Sequence, residues 1–366
     1  MTERGGLHFR LGPIALGLAV AGLVWLAVAL PILGETLNWG EDFTAYRNAA
    51  ERLTAEGSPY NELTTSGRFE PQGGGHYLYP PPLSIAFGPF TGIDAETGAV
   101  IWYLLKVGAL VLAAGLMPIR PTTKLLALGI SLFSYAVLRD LVEGNFSILM
   151  VLALAAGWRW LDRPAGSIAL ACATAVRATT GAFLIWFAMR RAWWSMIWMV
   201  GAGMVLLLLS LPFVGIDGYL DYFALLGNVD VTGELSQNRH LTALGRAAGL
   251  PADQPWLVLA PTWLLSLGAM ALSTRRDPAT GYMVTAAASL LLAPLLWDHY
   301  LSMLMLPAAF LFERGRRWAI VLPLLSSIPT PFTPLVAVAA LLLPFLARDP
   351  QDDAARTEPD ALAVAA

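Results

Sequence analysis

Cysteine is all but missing from this chain: Cys172 is the only one in 366 residues. That excludes an intrachain disulfide and a cysteine-rich metal site, and its position inside an apolar run reads as a small buried hydrophobe. Charge is scarce too, at 13% of residues, where a soluble domain carries about a quarter. With 57% hydrophobic residues and a mean hydropathy of +0.60, a water-soluble globule is excluded. The formal net charge is only -3, and the basic residues sit in pairs at the ends of apolar runs, so no basic face exists for nucleic acid. Three catalytic signatures are also absent. No phosphate-cradling glycine loop leads into Lys-Ser or Lys-Thr, no His-Glu-x-x-His pattern occurs, and no serine stands in a Gly-x-Ser-x-Gly setting.

What the chain has instead is apolar runs of about 20 residues, the length that crosses a bilayer. They recur from Leu11 to Leu346, near 11–33, 98–117, 123–138, 145–161, 194–214, 255–272, 280–296 and 299–312, with broken pairs at 166–189 and 318–346. The expected fold is all-α: a polytopic transmembrane helical bundle forming one domain over 1–346, followed by a charged, alanine-rich and disordered cytoplasmic tail at 347–366. Arg4 and Arg10 precede the first run, and Ala27-Val28-Ala29 has the look of a cleavage site. The run continues to Leu33, which reads as an uncleaved first helix. Arg4, Arg10, Arg120, Lys124, Arg159, Arg163, Arg190, Arg191, Arg275, Arg276, Arg314, Arg317 and Arg348 fall on one side if 166–189 is two half-spans, and by the positive-inside rule that side is the cytoplasm. The composition fits a bacterial inner membrane.

The opposite, extracytoplasmic side collects the long loops 34–82 and 215–254, the turn Arg139–Asn145, Arg177 and the turn Trp297–His299. Loops of that length usually carry function. In the first, Phe43, Tyr46, Ala50 and Leu53 recur at helical spacing, the pattern of an amphipathic helix lying on the membrane surface. Asp42 at its start reads either as a helix cap or as a general base, and the two roles can coexist. Tyr77 and Tyr79 precede a stiff triple proline and read singly as interfacial anchors. Glu143 reads as solvated or cavity-lining, and Asn145 as a cap for the following helix. Arg177, in the middle of an apolar run, either meets a phosphate in bidentate fashion or marks a helix end and snorkels to the surface. Asn238, Arg239 and His240 form a polar stretch in the second loop. Trp297 could stack on a sugar or join an aromatic belt, and Asp298 and His299 could pair with each other or with a phosphate.

Taken in order, Asp42-Phe43 with Tyr46, Gly57-Ser58-Pro59-Tyr60, Tyr79-Pro80-Pro81-Pro82, Glu143-Gly144-Asn145, Asn238 ahead of Leu241-Thr242, and Pro294 followed by Trp297-Asp298-His299 resemble glycosyltransferase family 87 over roughly 35–310. These are polyprenyl-phosphate-sugar-dependent transferases of the multispanning GT-C class. The chain departs from the family's frequent Gly-Gln-x-Asn at Glu143-Gly144-Asn145-Phe146, and from its frequent lysine near a proline at Arg177-Ala178-Thr179. The resemblance implies a polyprenyl phosphate donor of the mannose kind, a lipid or glycan acceptor, inversion at the anomeric carbon, and Asp42 as the catalytic aspartate. If it holds, Arg177 and His299, with Arg239 or His240 in support, can meet the donor phosphate without a metal, Tyr46, Tyr79, Glu143, Asn145, Asn238, Trp297 and Asp298 line the substrate, and no cofactor is expected. A transporter or flippase of lipid-linked sugars is the rival. It needs polar residues through the membrane depth, whereas here they crowd one face.

Overall fold

The computed structural model of the protein describes residues 2–34, 39–71, 76–231, 240–251, 253–327 and 333–347, with only the backbone at 2–10, 31 and 33. Every regular element among these residues is helical. The chain enters with α1 (Thr2–Gly34), followed by three shorter helices, α2 (Glu41–Glu56), α3 (Glu62–Ser66) and α4 (Pro82–Ala86). After α5 (Ala95–Leu116), α6 (Pro121–Leu132) and α7 (Tyr135–Glu143) form a pair bent by 66°. Then come α8 (Ser147–Arg159), and α9 (Pro164–Val176) and α10 (Ala182–Met189) around a 3-10 turn. The second half holds α11 (Trp193–Asn228), α12 (Leu241–Ala247), α13 (Trp256–Ser273), α14 (Pro278–Leu291), a 3-10 segment Asp298–Leu304, α15 (Met305–Glu313) and α16 (Thr333–Leu342).

The helix starts are written in local chemistry. The Asp94 carboxylate accepts from the Thr97 amide at 2.9 Å to open α5, Ser134 accepts from Val137 at 3.3 Å to open α7, and Asp277 with Pro278 opens α14. Among the described residues α1, α5, α11 and α13 are long and apolar enough to cross a membrane, and the bent α6–α7 pair makes a fifth candidate. Their outer faces are apolar: Leu209 is 65% and Leu264 70% exposed, which suits lipid rather than water. The protein is therefore a multi-pass membrane protein. Ion pairs tie several of the basic turns together, Arg190 to Asp162 at 2.9 Å, Arg314 to Asp277 at 3.0 Å and Arg120 to Glu313 at 3.2 Å.

Two local expectations change. The stretch from 215 is not a loop: α11 bends at Gly215, where φ is 68°, and continues to Asn228 because Tyr222 and Leu225 still have a core to bury against. Cys172 lies exposed on α9 instead of buried, on an outward-facing position of an apolar helix. The stretch 166–189 does divide into two short apolar helices, which break immediately after Val176. The segment 348–366 lies outside the described residues.

α1 and α6 pack backbone against backbone at Gly129. A Cβ added at Gly129 would stand 2.8 Å from the Ala19 nitrogen and 2.8 Å from the Leu18 carbonyl carbon, both backbone atoms that cannot swing away. Small residues at such a seam let two backbones pack in lipid. Gly129→Ala should therefore lower the unfolding temperature of the detergent-purified protein, with a cost of about 1–3 kcal/mol from overpacking. Gly108→Ala on α5, where nothing lies within 4 Å, should leave it unchanged or raised.

Candidate active site

The geometry of the site begins at Gly40. Its φ of 71° turns the chain into α2, and its amide donates to the Val142 carbonyl at 2.9 Å, pinning the start of α2 against the end of α7. Gly40 occupies the cap position, so Asp42 lies within the first turn of the helix and its carboxylate reaches across to accept from Asn145 Nδ2 at 2.7 Å. The cap reading of Asp42 is thus replaced by a tertiary contact. The apolar face of α2 also finds a different partner from the one its periodicity implied. Phe43, Tyr46, Ala49 and Ala50 are buried inside the protein, with Tyr46 packed edge-on against Phe87 at 5.0 Å and Phe146 at 5.8 Å.

The facing wall is the turn between α7 and α8. Gly144 takes a φ of 83° to end α7, and Asn145 follows it, 2% exposed. Its Oδ1 accepts from the Ser147 amide at 3.1 Å and Ser147 Oγ at 2.8 Å, while Phe146 takes the cap position of α8. Because an amide N–H can only donate, this fixes Nδ2 on the other side, where Asp42, Tyr79 Oη at 2.9 Å and Tyr46 Oη at 3.2 Å receive it. Tyr77 and Tyr79 are not surface anchors: the Tyr77 ring is 2% exposed with its hydroxyl on the Pro80 carbonyl at 2.6 Å, and Tyr79 faces Asn145.

Glu143 is held at both oxygens. Arg139 Nε donates to Oε1 at 2.6 Å and His299 Nδ1 meets Oε2 at 3.2 Å, while Arg139 Nη1 reaches Asp298 at 2.7 Å. One guanidinium thus joins the α7 turn to the 3-10 segment that starts at Asp298. Trp297 lies parallel to the His299 ring at 6.4 Å, and Tyr300 abuts its other side edge-on at 4.7 Å. With Nδ1 turned to a carboxylate, His299 Nε2 is left buried and without a partner. Arg177 closes this side. It ends α9, yet instead of snorkelling outward it lays its guanidinium over the Tyr300 ring, 3.7 Å from the centroid, and its Nη2 is buried without a partner.

One turn of α2, one inter-helix turn and one 3-10 segment therefore bring together Asp42, Tyr46, Tyr79, Glu143, Asn145, Asp298 and His299, with Trp297 and Arg177 beside them. His240 stands at the start of α12. It caps α12 by accepting from the Thr242 amide at 3.2 Å, its other ring nitrogen faces the Leu291 carbonyl at 3.2 Å, and burial lowers its pKa to about 4. Asn238 and Arg239 lie outside the described residues. Arg139 and Tyr300 are site neighbours that sequence reasoning did not single out. The i,i+4 spacing of Arg139 and Glu143 on a helix was the available signal for the first.

Burial raises the Asp42 carboxyl from 3.8 to about 6; the His299 ring opposes the rise and the nearby Glu143 carboxylate adds to it. Such a carboxyl can take a proton near neutral pH. Donor atoms of Asp42, Glu143 and His299 all lie within 4.8 Å of one another, the spacing of a cation site. Glu143 already meets Arg139 and His299, and Asp42 meets Asn145, so a metal would have to displace or share those contacts.

A helical membrane bundle with carboxylates, an imidazole and a guanidinium gathered at one buried turn is a candidate enzyme site. The chain belongs to glycosyltransferase family 87, whose pattern matches residues 77–307. No curated protein and no solved structure matches it. Asp42 and Tyr46 precede the matched segment, and Asn145 within that segment holds both.

A Cβ at Gly144 would stand 2.8 Å from Phe43 Cβ and 3.1 Å from the Phe43 nitrogen, and any side chain there is also strained by the positive φ. Gly144→Ala should push α2 away from the turn and lower glycosyl transfer by roughly a hundredfold, the scale of a misplaced catalytic group. Gly57→Ala, also at positive φ with nothing within 4 Å, controls for strain alone and should keep most of the activity.

Proposed function

We propose that this family 87 glycosyltransferase moves a hexose of the mannose kind from a polyprenyl phosphate to a lipid or glycan hydroxyl on the extracytoplasmic face. Asp42 acts as the general base, and the anomeric carbon inverts. The observation that carries this reading is the 2.7 Å contact between Asp42, outside the family's matched segment, and Asn145 inside it. Asn145 holds the carboxylate by one oxygen, which leaves the other to accept the acceptor hydroxyl's proton as that oxygen attacks the sugar.

The departing lipid phosphate gathers negative charge as the glycosidic bond breaks. Arg177 Nη2 is a buried donor without a partner and can receive that charge, whereas burial lowers the His299 ring to about 3, which keeps it neutral beside the phosphate. Groups preorganised in this way stabilise developing charge without reorganising. Tyr46 and Tyr79, with Trp297, flank the position of the sugar. The apolar outer faces of the spans accommodate the polyprenyl tail, which must stay in the bilayer while its head group enters the site.

Asp42→Asn should abolish transfer from polyprenyl phosphate-mannose to membrane lipid extract by about 10²–10⁴-fold, the worth of a general base. The sign of the stability change separates chemistry from folding. A carboxyl whose folded pKa is raised stabilises the fold below its unfolded pKa of 3.8 and loses that contribution as pH rises through about 6. At pH 7.5 the Asn variant should thus unfold at the same or a higher temperature than wild type. In wild type, kcat/KM should fall as pH drops below about 6, where Asp42 takes up a proton. Undiminished transfer by Asp42→Asn, or a flat profile between pH 5 and 8, removes Asp42 from the role.

A further inference from the structure

Lys106 is fully buried in the middle of the spanning helix α5, as is Asp140 on α7, and the proposed chemistry uses neither. A buried ion pair in a bilayer-embedded bundle is costly relative to apolar residues of the same volume, so its presence calls for a role that packing does not fill. The contacts show where its effect goes. Lys106 Nζ meets Asp140 Oδ1 at 3.1 Å and also bonds the Asp140 carbonyl. That same carbonyl accepts the amides of Gly144 and Asn145, each at 3.0 Å, while Asp140 Oδ2 accepts the Ser147 amide at 2.9 Å. One turn earlier on α5, Trp102 Nε1 donates to the Gly144 carbonyl at 2.7 Å. The four residues from Gly144 to Ser147 therefore depend on Asp140 for three of their backbone bonds, and Asp140 is held from α5 by Lys106.

We propose that Lys106 is a positioning residue. Through Asp140 it sets the α7–α8 turn, and so the Asn145 amide that orients Asp42. The inference rests on the reading of Asp42 as the base. A methionine at 106 would fill the volume but hold neither Asp140 oxygen, so the turn would keep its fold and lose its register against α2. Of the groups facing Lys106, Asp140 alone bonds it, while Asp42 and Glu143 act on it only through space.

The experiment is a double-mutant cycle on kcat between Lys106→Met and Asn145→Ala, using purified full-length protein in nanodiscs with polyprenyl phosphate-mannose and membrane lipid extract. The double substitution Lys106→Met/Asp140→Asn is run alongside, since it leaves no unpaired charge and keeps an acceptor for the Ser147 amide. Lys106→Met should lower kcat by about tenfold or more with donor KM within about twofold, and its effect should vanish in the Asn145→Ala background, because both act through one contact. Equal fractional losses in both backgrounds would overturn the inference, as would unchanged kcat in a folded Lys106→Met/Asp140→Asn protein. Full activity of Asp42→Asn in the same assay would instead defeat the underlying reading of the base.

Discussion

The side-chain amide of Asn145 has one orientation open to it, because the Ser147 amide on one side can only donate. Everything the site does follows from that choice. The Nδ2 group is aimed at Asp42, Tyr46 and Tyr79, and this three-way contact docks the first long loop onto the bundle. A carboxylate on a loop helix would otherwise have no fixed relation to groups more than 100 residues away in sequence. A neutral donor suits this task. It orients the carboxylate while stabilising its charged form less than a cation would, so burial still raises the Asp42 pKa towards neutrality.

Charge is distributed accordingly. The cations near the site are not on the base. Arg139 is spent on Glu143 and Asp298, Lys106 on Asp140, and only Arg177 keeps a buried nitrogen without a partner, beside Tyr300. A bundle that buries charge in lipid has to pair it, and the open Arg177 donor is where an anion can be received. The same logic explains the aromatic layer under α2. Phe43, Tyr46, Phe87, Trp102 and Phe146 give the loop helix a packed floor, so that its position is set by side-chain contact inside the protein rather than by the membrane surface.

Much of the fold was legible in the sequence because membrane spans depend on run length and composition, which one chain displays. The break after Val176 was visible from Arg177 and Gly181. The continuation of α11 past Gly215 was not, since a glycine two residues ahead of Asp217 reads as an end unless the burial of Tyr222 and Leu225 is known. Of the site, Asp42, Glu143, Asn145 and His299 could be picked out by residue type at loop positions, but their convergence could not, because it is a tertiary fact. His240 looked equivalent to His299 by composition, and only its bond to the Thr242 amide distinguishes a cap from a site residue. Arg139 and Tyr300 were hidden for the opposite reason: Asp298 and Arg177, which they meet, lie on other elements.

The central claim is a single displacement in which a carboxylate removes the acceptor proton and polyprenyl phosphate leaves. The measurement that tests it most directly is the anomeric configuration of the product, read by NMR from a donor of known configuration under single-turnover conditions. The account predicts inversion at the anomeric carbon. A product that retains the donor's configuration would contradict it, because it would require a glycosyl-enzyme intermediate or a front-face path that the arrangement of Asp42 and Asn145 is not proposed to serve.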